Sequence, residues 1–190
     1  LYPMYYVAIV SISDGMEVMR GGVSLWPKGI TLDSYIVIFQ NKDIFISFKN
    51  TVMYTTLGTV VNLAMSCLCA YPLSRINFSG RKFFTKLIVF TMFFSGGMIP
   101  LYLVVNSLKL MNTMWAVILP VAINTYNMII IRTGFLTIPE SLIESSKIDG
   151  ANDFYILGKI AIPLIKPVLA TMMLFYAVYH WNSFFNAMLY

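Results

Sequence analysis

Four long apolar runs, residues 50–73, 87–107, 113–131 and 168–189, constrain this chain more than any motif in it. A run of roughly 20 apolar residues can cross the hydrocarbon of a bilayer as a helix, because its backbone N–H and C=O groups then pair within the segment. Four of them predict an all-α, polytopic membrane helical bundle. Only 11% of the 190 residues are charged, against about a quarter in globular domains, and mean hydropathy is +0.76. Little chain is left for a separate soluble catalytic domain. A shorter apolar opening, LYPMYYVAIVSI, reads as the outer half of a span whose beginning is absent; no basic segment precedes it as in a signal peptide.

The short loops set the orientation. Residues 74–86 carry Arg75, Arg81, Lys82 and Lys86 and no acid, which predicts a cytoplasmic loop by the positive-inside rule. This loop accounts for most of the net charge of +5, so no nucleic-acid partner is needed to explain it. Residues 14–49 balance four bases against four acids and are expected outside, as an irregular loop or a short interfacial helix. Alternation then places Lys109 outside and returns residues 132–167 to the cytoplasm, so the polar stretch 140–167 faces the cell interior. Cys67 and Cys69, two apart in an apolar run, point to different helix faces and read as packing thiols.

The second cytoplasmic segment, residues 137–167, is the densest in polar and small residues. Thr137 precedes Glu140 at the spacing of a capping box, with Pro139 in the expected first turn. The helix so begun has Glu140, Glu144 and Lys147 on a polar side and Leu142, Ile143 and Ile148 available for burial. Gly150 interrupts it, Asn152 is positioned to cap a second short helix to about residue 160, and Pro163 and Pro167 let the chain turn into the last span. A linker between spans needs only a few residues. Two uses remain open from the residues alone: an interfacial segment that stabilises the bundle, or a docking element for a cytoplasmic partner. Catalysis and metal binding find no support, since Glu140, Glu144, Asp149 and Asp153 have no companion His or Cys cluster.

This segment resembles the Glu-Ala-Ala (EAA) loop of the permease subunits of bacterial ATP-binding-cassette importers. Glu144, Ser145 and Ser146 take the Glu-Ala-Ala places, Gly150 follows after three residues, and Ile160, Ile162 and Pro163 close the pattern after nine more. Two alanines are replaced by serine and a leucine by isoleucine. The words IDGA, IPLIKPVLA and HWNSFFN are similar to those of the carbohydrate-importer branch related to the second maltose permease subunit, and MFFSGGMIPLYLVV to a narrower group associated with complex or acidic oligosaccharides.

The resemblance implies the type I importer permease fold, here with its first span partial and its last absent. It also implies partners: a second permease subunit, two cytoplasmic ATPase subunits, an extracytoplasmic solute-binding protein and the lipid bilayer. Glu144, Ser145, Ser146, Asp149, Gly150, Ala151, Ile160 and Pro163 would then form the ATPase-coupling element. No cofactor is expected in this chain, with ATP and Mg in the partner ATPase; no phosphate-binding G-x-x-x-x-G-K-[ST] motif occurs in the sequence. Within the apolar runs, Asn124, Tyr126 and Asn127, and His180, Trp181 and Asn182, are candidates either for a solute pathway or for helix packing. His180 has no acid in its own span, which favours neutral hydrogen bonding over proton coupling. Gly96, Gly97 and Pro100 mark a bend, from close packing or as a gate-like hinge. An ATP-independent channel or secondary carrier is the alternative function, and would call for intramembrane acids or internal repeats; a purely structural scaffold is a third.

Overall fold

Lys42–Ser74 forms one helix of 33 residues, about 50 Å long at 1.5 Å per residue and well beyond the roughly 30 Å of bilayer hydrocarbon. The computed structural model, which describes residues 2–94 and 96–190, is helical with no strand among them. Two compact units divide at residue 50.

In the first unit, α1 (Tyr2–Ser11), α2 (Gly15–Met19) and α3 (Asp33–Gln40) precede the start of α4 (Lys42–Ser74). The Asp14 carboxylate caps α2 by accepting from Met16 N at 2.8 Å. The Tyr5 hydroxyl donates to Leu25 O, and Thr31 N donates to Ile12 O, folding the 20–32 stretch back on α1. Residues 14–49, expected as an irregular loop or a short interfacial helix, hold two short helices and the first turns of α4, which begins at Lys42 instead of residue 50.

In the second unit, α4 is followed by α5 (Arg81–Phe93), α6 (Met98–Ser107), α7 (Met114–Ile118) with a 3-10 turn (Leu119–Val121), and α8 (Thr125–Leu136). Next come α9 (Glu140–Ile148), α10 (Asp153–Tyr155), a π-turn (Ile156–Ala161), α11 (Ile162–Leu164), α12 (Lys166–Trp181) and α13 (Phe184–Leu189). Among the described residues, only α4 is by itself long and apolar enough to cross a membrane; three bent pairs raise the number of crossings to as many as four. Of its most apolar window, 28% is buried, so most of that surface is left to face lipid or other protein.

The remaining apolar runs are broken where the residues dictate. The 87–107 run becomes α5 and α6, separated around Gly96 and Gly97, and Gly97 enters α6 at φ 83°. Pro100 sits in the first turn of α6, where its missing N–H costs little. The 113–131 run bends by 55° between Val121 and Thr125 and extends to Leu136. The 168–189 run ends at Trp181; Asn182 and Ser183 separate α12 from α13. The 74–86 loop shrinks to residues 75–80, because α5 starts at Arg81.

The core lies at one end of α4. Tyr71 meets Phe135 of α8 edge to face at 5.5 Å between ring centres. Around them pack Ile131, Ile143 of α9, Ile156 and Ala161 of the π-turn, and Met172 of α12. The segment between α8 and α12 is therefore anchored in the same core as the membrane helices.

Candidate functional site

Glu140–Leu164 forms a helix, a sharp turn and a second helix. The expected capping box is not made: Thr137 is the C-cap of α8 and its hydroxyl donates back to Gly134 O at 2.8 Å, while no side chain caps α9. The hydroxyl is taken by the nearer carbonyl of the helix that is just ending. At its other end α9 closes in a Schellman arrangement. Gly150 N donates to Lys147 O and Ala151 N to Ser146 O, both at 3.0 Å, with Gly150 at φ 83°. Asn152 then caps α10, its side-chain oxygen accepting from Tyr155 N at 2.8 Å, and Lys147 reaches Asp153 across the turn at 3.1 Å.

The two serines in the alanine places keep their hydroxyls inside the helix. Ser145 and Ser146 both donate to Leu142 O, at 3.1 and 2.7 Å, so neither needs an outside partner. Ser146 and Ile143 face the core, whereas Glu144, Ser145, Asp149 and Gly150 are exposed. Leu142 and Ile148, expected to be available for burial, are exposed, Ile148 at 86%. With Phe154 at 78%, Ile148 gives the turn an apolar tip. Beyond it, the second helix runs past residue 160 to Leu164 through the π-turn. A wide turn just before Pro163 is one way to absorb the donor that proline lacks. The chain bends by 87° at Ile165 before α12.

Arg75, counted in the sequence only as a loop charge, ties this assembly to α4. Its guanidinium donates to Ser74 Oγ at 3.0 Å, to Phe135 O at 2.7 Å and to Glu140 Oε2 at 3.4 Å, and lies over the Tyr71 ring at 5.2 Å. Arg132 of α8 donates from Nε to Leu73 O at 2.9 Å. The end of α4, the end of α8 and the start of α9 are thus held by two arginines.

The second polar constellation runs along α4. Asn62 and Ser66, four apart and 1% and 0% exposed, face α12: Ser66 Oγ pairs with Tyr176 Oη at 2.7 Å, and Asn62 Oδ1 with His180 Nε2 at 2.8 Å. Asn62 Nδ2 donates to Val121 O at 2.6 Å. That carbonyl lies at the break before α8, so Asn62 supplies a partner that a continuous helix would have provided. Beside it opens a cavity of about 400 Å³ whose lining includes Asn62, Asn124, Tyr126, Asn127, Tyr176 and Tyr179.

The pathway candidates separate accordingly. Asn124, Tyr126 and Asn127 come together in the cavity, and Asn124 also caps α8 by accepting from Asn127 N at 3.1 Å. His180 is buried behind Asn62. Trp181 and Asn182 are exposed and do not line the cavity; Asn182 donates to Val178 O at the end of α12. Gly96, Gly97 and Pro100 are exposed at the α5–α6 break. No cluster of His, Cys, Asp and Glu able to hold a metal occurs among the described residues.

Residues 62–187 match the family described as binding-protein-dependent transport system inner membrane component. The chain belongs to that family. The chain is 44% identical over 190 residues to the protein LplC of Bacillus subtilis, covering 100% of the chain and 64% of LplC. It is 47% identical over 188 residues to the polygalacturonan/rhamnogalacturonan transport system permease protein YtcP of the same organism, covering 99% and 66%. Among solved structures it is similar to a chain of a bacterial ABC transporter involved in the import of the acidic polysaccharide alginate. There the TM-score is 0.94 at 40% identity, over 99% of this chain and 67% of that one. The chain spans about two thirds of the length of these relatives. Its fold is that of an ABC importer permease, and membership makes it a multi-pass membrane protein.

Asn62, Ser66, Tyr176, Arg75 and Arg132 escaped the sequence reading. The signal for the first two was present, as polar residues at helical spacing in an otherwise apolar run; none marked the partners of the arginines.

Proposed function

We propose that this chain is the transmembrane permease subunit of an ATP-driven importer, translocating a sugar or oligosaccharide delivered by an extracytoplasmic solute-binding protein. A second permease subunit and two cytoplasmic ATPase subunits complete the assembly, and ATP and Mg belong to the ATPases. The observation that carries the reading is the attachment of the Glu140–Leu164 hairpin: its exposed tip is free to dock, while its base is locked by Arg75 to α4 and α8. A displacement received at Gly150 is then delivered to membrane-crossing helices instead of being lost in a loose loop. The tip, with Glu144, Ser145, Asp149 and Gly150 exposed around Ile148 and Phe154, is the surface offered to an ATPase.

The cavity beside Asn62 is suited to a sugar. Its amides and hydroxyls can hydrogen-bond to hydroxyl groups, and Tyr126, Phe175 and Tyr179 offer aromatic faces to a ring. The polygalacturonan/rhamnogalacturonan and alginate systems similar to this chain favour an acidic oligosaccharide as the cargo. The α5–α6 break at Gly96, Gly97 and Pro100 acts as a hinge in the movement that turns the cavity from one side of the membrane to the other.

Reconstitution of the complete transporter in proteoliposomes tests this. Solute should accumulate on the ATPase side only with ATP and a loaded binding protein, and hydrolysis should rise when both are present. Accumulation without ATP would establish a channel or secondary carrier instead.

A further inference from the structure

The basic residues after α4 do more than line one side of a membrane: four of them converge on one hollow. A cavity of about 700 Å³ opens between the 75–80 loop, the first turns of α5 and Arg132 of α8, and its lining contains Arg81, Lys82, Lys86 and Arg132 but no acid. We propose that it binds the headgroup of an anionic phospholipid. The proposal does not depend on what the permease transports.

Several observations point to a phosphodiester. Lys82 and Lys86 are one helical turn apart on α5, and Arg132 spends Nε on Leu73 O, leaving the far edge of its guanidinium toward the hollow that it lines. Gly80 leads into α5 at φ 85° without a side-chain cap; Arg81 N is taken by Phe78 O at 3.2 Å, and the N–H groups of Lys82 and Phe83 at the start of this 13-residue helix remain for an anion. The hydroxyl of Thr85, also in the lining, is shielded from solvent and has no hydrogen-bond partner among the described residues. Guanidinium, ammonium, hydroxyl and helix N–H groups are the donors that phosphate oxygens take.

Two further features favour a lipid over a free phosphate or an acidic protein segment. The hollow is much larger than a phosphate ion, and Ile76 and Phe78 form part of its wall. Beside it Phe83 is 64% exposed and Ile76 70% exposed, apolar surface suited to acyl chains next to the cations. The position, where α4 ends and α5 begins, is where a helix hairpin returns through the headgroup layer.

Native mass spectrometry of the complete transporter in detergent provides the test, comparing phosphatidylglycerol with phosphatidylcholine of the same chains. Phosphatidylglycerol should be retained at about tenfold lower lipid concentration, in keeping with the attraction of several near-surface cations for an anionic leaflet. The double variant Lys82→Gln/Lys86→Gln should abolish that preference. Lys159→Gln/Lys166→Gln, which removes equal charge elsewhere, should leave it intact. Equal retention of the two lipids, or equal loss in both double variants, overturns the proposal in favour of a diffuse field. Displacement of the lipid by inorganic phosphate at matched concentration overturns it in favour of a small-anion site. A photo-crosslinker at Phe83 that captures a neighbouring subunit instead of lipid also overturns it.

Discussion

At Gly58, α4 approaches α12 too closely to admit a side chain. A Cβ there would lie 2.5 to 2.7 Å from the His180 ring, which Asn62 already holds at 2.8 Å. Gly58→Ala is therefore expected to push the ring off Asn62 and to cost about 1–3 kcal/mol, as overpacking does, lowering the melting temperature of the purified complex. Adding His180→Ala should recover part of the loss; strictly additive effects would mean that the two residues do not meet. Gly150 is a contrasting case, since nothing lies within 4 Å of its missing Cβ and its φ is +83°. Gly150→Asn, tolerant of left-handed backbone, should keep coupled uptake, whereas Gly150→Pro, fixed near φ −65°, should abolish it while membrane insertion persists. Transport and insertion assays on the two variants decide the matter, and normal uptake by the proline variant would sink the requirement for this turn. Gly150 was legible in the sequence because it interrupts the helical pattern that precedes it and takes the glycine place of the EAA loop that the segment resembles. Gly58 was not, because its constraint comes from a histidine 122 positions away.

At the scale of elements, the sequence yielded the apolar runs and the hairpin between α8 and α12 but blurred their ends. Hydropathy senses what is apolar, and residues 119–124 and 184–189 remain apolar on average although the helices break beside them. Those breaks depend on distant partners: Val121 O is met by Asn62, 59 residues earlier. Asn62→Leu should thus weaken the α7–α8 bend as well as the α4–α12 contact. Each intramembrane hydrogen bond removed is worth typically about 1 kcal/mol, and thermal unfolding of the purified complex checks that loss. Arg75 shows the same limitation, with partners 60 and 65 residues away. Replacing it by alanine releases the hairpin base from α4 and α8, so ATP hydrolysis should continue with a several-fold weaker response to loaded binding protein. Arg75→Lys should restore little, since one ammonium cannot reproduce donation in three directions. An unchanged response in Arg75→Ala would show that the hairpin base transmits nothing.

For the whole molecule, membership in the family of binding-protein-dependent transport system inner membrane components follows from residues 62–187, and the fold supplies what the pattern alone could not: an exposed apolar tip, an arginine-locked base, and a polar seam leading to the cavity. These lie along one continuous path from the exposed turn through α4 and α8 to Asn62. The most direct measurement of that path is disulfide crosslinking from Asp149→Cys, in a chain whose Cys67 and Cys69 are replaced by alanine, to cysteines placed around the surface cleft of the ATPase in the reconstituted transporter. A crosslink that forms in high yield and blocks solute-stimulated hydrolysis, reversibly on reduction, is the expected result. Labelling of the same cysteine from the side of the binding protein, or full stimulation with the crosslink in place, would contradict coupling through this hairpin.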